Sequence, residues 1–388
     1  AVILQAVVGN DHGGHYYPNV SGVLRSINYY PVGNEKAEEG IANLALGLGK
    51  YIVDGGQTLR VSPYHPNQVL QTSELKTALR DTQTQFYALD TAHPATDFAV
   101  DDGFNILKLG LKEAEQDNAL HYIAATYDAN DGIIREAIYP EGRKVITFGG
   151  VLKHDAFPLP QIMQMAMRYG EEAMKRPVEI EFACNINADR TGEFNLLQIR
   201  PIVDSKQMLD EDVAAIADEQ CLLRSHNSLG HGVSDDVTDV VYVKYDDHFS
   251  AAHNYSVAQE VESINNKFLG TDRNYILIGP GRWGSSDFWL GVPVKWPHIS
   301  AARIIVEVAL KNYRVDPSQG THFFQNLTSF GVGYFTIDTN VPDGLLRKEV
   351  LDALPAVEET EHVRHVRFPR ALRILMDGMK GEGVVLMN

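Results

Sequence analysis

The sequence predicts an α+β protein of two units, and three features carry that expectation. Residues 178–203 read as an antiparallel hairpin. Val178, Ile180, Phe182 and Cys184 alternate with Glu179, Glu181 and Ala183, the period of two that gives a strand one buried face. Residues 160–175, just before it, carry a helical stripe of Ile162, Met165, Ala166, Tyr169 and Ala173. The acidic, weakly patterned stretch 204–235, rich in Gly, Ser and His over 225–234, marks a boundary. The expected units are therefore residues 1–205 and 236–388, joined by a linker over 206–235.

Within the first unit, residues 74–89 read as a helix, and 121–127 and 144–148 as strands. The methionines of 160–175 read as core filling. In the second unit, 239–245 reads as a strand, 257–268 as a helix and 275–278 as a buried strand. Residues 363–368 and 371–376 read as strands closing a mixed sheet.

The hairpin also carries the chemistry. Glu179 and Glu181 point the same way, and after a turn rich in Asn, Asp and Gly (187–192), Gln198 and Arg200 share one face of the returning strand, which stops at Pro201. Carboxylate and amide oxygens suit Mg²⁺, which keeps waters and takes its other ligands from phosphates. An arginine fork beside such a metal holds a phosphate through two hydrogen bonds. The plainer alternative is a cross-strand Glu–Arg pair on an ordinary sheet.

With 388 residues, 44% hydrophobic and 22% charged, the chain can bury substantial cores in two or three domains. No apolar run approaches a membrane span, and residues 1–8 lack the basic flank and length of a signal peptide. Two cysteines, Cys184 and Cys221, form neither a disulfide framework nor a metal spacing, which points to a reducing cytoplasm. A net charge of -17 repels nucleic acid as a bulk partner. An anion such as ATP must then be held by local Arg and Lys or through a metal.

The run E-I-E-F followed by L-L-Q-I-R-P-I-V resembles the end of the nucleotide-binding domain in the phosphoenolpyruvate synthase and pyruvate phosphate dikinase family. Other segments agree in order across roughly the first 200 residues, with 64–150 aligning only loosely. Residues 1–8 resemble the family strand leading into the adenine-contacting hinge, with Gln5 in the matching place. Ser21-Gly22-Val23 resembles its S-G-V turn, and residues 45–55 its Gly-rich segment. The resemblance implies the C-terminal half of an ATP-grasp domain, followed here by a second mixed α/β domain. It implies ATP and Mg²⁺ as cofactors, Glu181 and Gln198 as metal ligands, and Arg200 as the phosphate-contacting arginine. Glu179 stands where the family usually has Asp.

Departures from the family pattern are equally specific. Lys50 stands where the family commonly has Glu; it either touches phosphate or is a solvated lysine. The family's Thr-Arg-x-Pro run is replaced by residues 24–31, so Arg25 is either a displaced equivalent or a surface arginine. The resemblance further implies that a lysine and an arginine from the first ATP-grasp half, expected in a missing N-terminal half of the same protein, complete the site. The isolated chain is then expected to turn over little ATP.

Two motifs lie in the second unit. Residues 275–278 run into a Gly-rich loop over 279–287 that is either an anion site built on Arg282, Ser285 and backbone N–H groups or a tight turn packed by Trp283. It lacks the Gly-Lys-Ser/Thr ending of a Walker sequence. Residues 317–326 begin a further helix, with His322 near its first turn. Gly320-Thr321-His322 is similar to the Gly-x-Thr-x-His core of the family's phosphohistidine domain, although its flanks differ. His322 is thereby a candidate phosphoryl carrier, the alternative being a capped, partly buried histidine.

The functional expectation is a part of an ATP-dependent phosphotransferase, with pyruvate or another phosphoryl acceptor as partner and neither nucleic acid nor membrane. The alternative is a non-catalytic ATP-sensing or regulatory module, which Lys50 and the altered region around Arg25 would suit.

Overall fold

The computed structural model describes residues 4–93, 103, 105–202, 209, 211–246, 249–285, 287–310, 313, 327, 330–338 and 344–387. The chain divides into two compact units. The first comprises Ala1–Asn28 and Asn34–Val203, and the second Tyr29–Gly33 and Asp204–Asn388.

The first unit is built on a five-stranded antiparallel sheet. Its strands are β1 (Val20–Arg25), β2 (Ile41–Ala45), β3 (Leu59–Val61), β4 (Val178–Ile186) and β5 (Gly192–Pro201), arranged in the order β5-β4-β1-β2-β3. The alternation of β4 sorts the two faces. Val178, Ile180, Phe182, Cys184 and Ile186 are buried with Leu24, Ala42, Leu44 and Val61 in one core. Helix α2 (Leu159–Met174) packs on that apolar face. The approach is close: a Cβ on Gly170 of α2 would lie 2.9 Å from Val178 Cγ2 and 3.0 Å from Ile199 Cδ1, so only glycine fits there. The opposite face carries Glu179, Glu181, Arg25 and Arg200. Two smaller sheets complete the unit, one of four strands including Gln85–Asp90 and one of three including Ala124–Asp128.

A ten-stranded mixed sheet forms the second unit. Its labelled strands are β6 (Cys221–Ser225), β7 (Gly232–Val243), β8 (Tyr275–Pro280), β9 (Ala302–Ala309), β10 (Gly333–Asp338), β11 (Val363–Asp377) and β12 (Glu382–Leu386). Strands β10, β9, β8 and β7 run parallel, and β11, β12 and β6 continue the sheet antiparallel. Helix α3 (Asn254–Asn265) lies in the chain between parallel β7 and β8, the connection such strands require. Every residue of β8 is buried, which its unbroken apolar run demands of a central parallel strand.

Several expectations need correction. Residues 4–9 form neither helix nor strand, and pairing begins only at Asn10, opposite Tyr17. Without a ladder partner among the described residues, an apolar run does not become a strand, and Leu4 and Val7 are left exposed. The helix expected over 74–89 spans only Leu75–Asp81 and gives way to the strand Gln85–Asp90. Between them, Gln83 donates to Leu46 O at 3.0 Å and accepts from Leu46 N at 2.7 Å, a tertiary bond that overrides local helix preference. Ser21-Gly22-Val23 lies within β1 and is not a turn. The expected linker over 206–235 contains β6 and the start of β7, because Leu222 and Leu223 supply apolar surface to the second core. The two strands expected over 363–376 are one, β11.

The phase of α2 is also shifted. Its buried side chains are Leu159, Pro160, Met163 and Met167, along with Gly170, while Met165 is 48% and Tyr169 54% exposed. Reading the longer apolar side chains as the core stripe picked a face about one residue out of register, since Gly170 marks the true contact by its lack of a side chain.

Candidate functional site

Cross-strand register brings the hairpin residues together. Glu179 lies directly opposite Arg200, and Glu181 directly opposite Gln198. Beyond that pair a bulge sets Phe182 against Leu196, leaving Leu197 as the extra residue of β5. Gln198 and Arg200 therefore share the face of the two glutamates. On the other side of β4, Glu179 lies opposite Arg25 and Glu181 opposite Val23 of β1.

Glu179 is the centre of this face. Its side chain is 8% exposed, and it accepts from Arg25 Nε at 2.8 Å on one oxygen and from Arg200 Nε at 2.8 Å on the other. Arg200 Nη2 donates to that second oxygen as well. Burial works to raise the Glu179 pKa, but the hydrogen bonds and charges of Arg200 and Arg25 outweigh it and hold the carboxyl below its ordinary value. Arg200 is pushed up in turn by Glu179, with a smaller contribution from the charge of Glu181. Two guanidiniums are thus gripped by one buried carboxylate, and both remain more than half exposed.

The strand junction beneath is locked. Ser26 Oγ donates to Glu171 Oε1 at 2.6 Å and accepts from Val178 N at 2.9 Å, so the end of β1, the start of β4 and α2 move together.

Glu181 is half-buried and Gln198 exposed, and neither side chain has a hydrogen-bond partner among the described residues. Gln5 reaches the same strand, its Nε2 donating to Leu197 O at 3.1 Å. Lys50 stands apart from the hairpin at the start of helix α1 (Lys50–Val53) and pairs with Asp54 at 3.4 Å. The Gly-rich segment before it is tied to β1, since Ser21 Oγ donates to Gly47 O at 2.7 Å, and Gly47 turns the chain with a φ of +86°. His322 and the helix expected over 317–326 lie outside the described residues.

The cross-strand Glu–Arg pair that the sequence offered as the plainer alternative is present as Glu179–Arg200; sequence reasoning missed that the same carboxylate also holds Arg25. The available signal was the pairing of β1 with β4, which no local pattern in either segment encodes. Also missed were Asn195, opposite Ala183 one row beyond the Glu181–Gln198 pair, and Asn185, opposite Glu193 in the row after that. Asn185 Oδ1 and Asn195 Nδ2 are buried without a hydrogen-bond partner among the described residues.

In the second unit, the described residues of the Gly-rich segment, 279–285 and 287, include a tight approach of Gly279 to Trp283. Trp283 is buried; its backbone N–H donates to Glu307 Oε1 at 2.9 Å and its indole N–H to Val306 O at 3.1 Å. Ser285 Oγ is engaged with the backbone of Asp287. Cys184 and Cys221 are both free thiols and buried. Among the described residues no helix is long and apolar enough to cross a membrane.

An acid, an amide and two arginines thus share one polar face of the first unit's antiparallel sheet, and the comparison with known families identifies the domain that carries them. The profile of the pyruvate phosphate dikinase AMP/ATP-binding domain matches residues 1–220, more than half of the chain. The chain belongs to the phosphoenolpyruvate synthase and pyruvate phosphate dikinase family. Residues 1–220 are therefore an ATP-binding domain of a phosphotransferase family. A search of curated proteins finds no match.

Proposed function

We propose that the polar face of β1, β4 and β5 binds Mg-ATP for phosphoryl transfer, as the C-terminal half of an ATP-grasp site. The observation that carries this reading is the directly opposed pair Glu181 and Gln198 beside the Arg25–Glu179–Arg200 group. The donor set fits Mg²⁺: one carboxylate and one amide oxygen, neither with a hydrogen-bond partner among the described residues, leave room for the waters and phosphate oxygens this ion retains. Among the described residues no group of three or more His, Cys, Asp or Glu could hold a metal.

In this reading Glu181 and Gln198 hold the ion, which would neutralise polyphosphate charge when bound. Arg200 and Arg25 present their unused N–H groups to phosphate oxygens, and Glu179 fixes both guanidiniums before the ligand arrives. Positioning and charge neutralisation are the main requirements of phosphoryl transfer, so little covalent chemistry is asked of the protein. Gln5 anchors the hinge segment against β5. Asn185 Oδ1 and Asn195 Nδ2 offer an acceptor and a donor to polar atoms of the ligand, since unsatisfied buried groups of this kind are costly unless a partner arrives. Pyruvate or another small phosphoryl acceptor is the expected co-substrate. The first unit carries most of the matched nucleotide-binding domain. Calorimetric titration with Mg-ATP tests the reading, with Glu181→Gln combined with Gln198→Ala expected to weaken binding by about tenfold or more.

A further inference from the structure

Asp239, near the middle of the second unit's sheet, is 1% exposed and accepts four hydrogen bonds. His365 Nε2 contributes one at 2.7 Å and Arg367 Nε another at 3.0 Å, both to Oδ1; Arg273 Nη2 at 2.6 Å and Thr238 Oγ1 at 2.8 Å bond to Oδ2. Those bonds hold the carboxyl well below the usual carboxylate range, against a burial effect that works to raise it. Its acceptor capacity is filled.

The two arginines are not. Arg367 lies directly opposite Asp239 on β11, and Arg273 stands two residues before Tyr275, which pairs with Asp239 from the other side. Each guanidinium spends one nitrogen on the carboxylate and remains 43% (Arg367) or 45% (Arg273) exposed. The other nitrogens have no hydrogen-bond partner among the described residues. Arg273 is further steadied by Phe268, its guanidinium 5.4 Å from the ring centroid, and Phe268 also packs on His365. One negative charge thus organises two positive ones, and the surplus faces solvent in a chain of net charge -17.

We propose that Arg273 and Arg367, held apart and oriented by Asp239, form an oxyanion site for a phosphate group of a small molecule, separate from the hairpin site of the first unit. Both guanidiniums are anchored on one carboxylate, Arg367 through Oδ1 and Arg273 through Oδ2, so in this proposal a single phosphate bridges their outer N–H groups, with the rigid fork supplying selectivity over a spherical anion. Such a site lies toward the amino end of the parallel strand β8, away from the carboxyl ends where ligands of open parallel sheets are usually found.

The test is site-resolved. The arginine Nε–Hε NMR signals of Arg273 and Arg367 are followed in the full chain during titration with inorganic phosphate, and separately with glycerol 3-phosphate, at constant ionic strength. Saturable shifts of both signals that chloride does not reproduce support the site, and the tighter of the two probes tells free phosphate from a phosphate ester. Arg273→Lys, which keeps the charge beside Asp239 but removes the fork, should weaken phosphate affinity read at Arg367 by about tenfold. Arg367→Lys read at Arg273 is the reciprocal variant if the first lowers the melting temperature. Unmoved signals, chloride-like shifts or unchanged affinity in both variants would overturn the proposal.

Discussion

The ring of Phe182 lies directly against the Cα of Gly22, so that a Cβ on that glycine would come within 2.2 Å of the ring. Gly22 and Phe182 belong to the two motifs, S-G-V and E-I-E-F, that first marked this unit, and they are neighbours in register between β1 and β4. The glycine is required by packing and not by a turn. Gly22→Ala should destabilise the first unit by about 1–3 kcal/mol through overpacking, measured by denaturant unfolding followed through a probe in that unit. An unchanged midpoint would show that the ring is free to move.

Glu179 gives a signed pH dependence. Its carboxyl is depressed in the folded protein, so its contribution is complete above its ordinary value of 4.5 and is lost as pH falls through the lower folded value. Wild-type stability minus that of Glu179→Gln should therefore be constant from pH 7 to pH 5 and shrink only in more acidic solution. The expected difference at neutral pH is about 1.5–3 kcal/mol, the range for hydrogen bonds to charged groups. A difference that already decays near neutrality would mean the two arginines do not hold the carboxylate.

How much of this was legible in the sequence follows from distance along the chain. The period of β4, the shared face of Gln198 and Arg200 and the burial of β8 are written in consecutive residues, and the fold reproduces them. Arg25 reaches Glu179 across 154 positions, and neither neighbourhood encodes that meeting. The tie from Gln83 to Leu46, which ends a helix early, is equally non-local. Part of the stretch that stands in place of the family's Thr-Arg-x-Pro run is likewise engaged at long range. Tyr29–Gly33 belongs to the second unit, where the Tyr29 ring stacks on His231 at 4.4 Å.

The phase of α2 can be checked with two substitutions. Met163→Ala removes a fully buried side chain and should cost about 2–5 kcal/mol. Met165→Ala touches an exposed one and should stay within about 0.5 kcal/mol of wild type. Equal effects would restore the stripe that the sequence first suggested.

Trp283 is the buried packing residue of the Gly-rich loop in the second unit. Trp283→Ala should cost about 3–5 kcal/mol, since it empties a buried site and leaves Val306 O without its indole donor. Ser285→Ala, whose hydroxyl serves only its own turn, should leave phosphate binding to the second unit unchanged. A selective loss of phosphate affinity in Ser285→Ala would return the loop to the list of anion sites.

The central claim concerns two side chains that face each other across β4 and β5. Isothermal titration with ATP, run with Mg²⁺ and again with EDTA, on wild type and on the Glu181→Gln, Gln198→Ala double variant, addresses it most directly. The account predicts that Mg²⁺ strengthens wild-type binding and that the double variant loses about tenfold or more of the Mg²⁺-dependent affinity while keeping its melting temperature. Identical Mg-ATP affinity in the two proteins would contradict it.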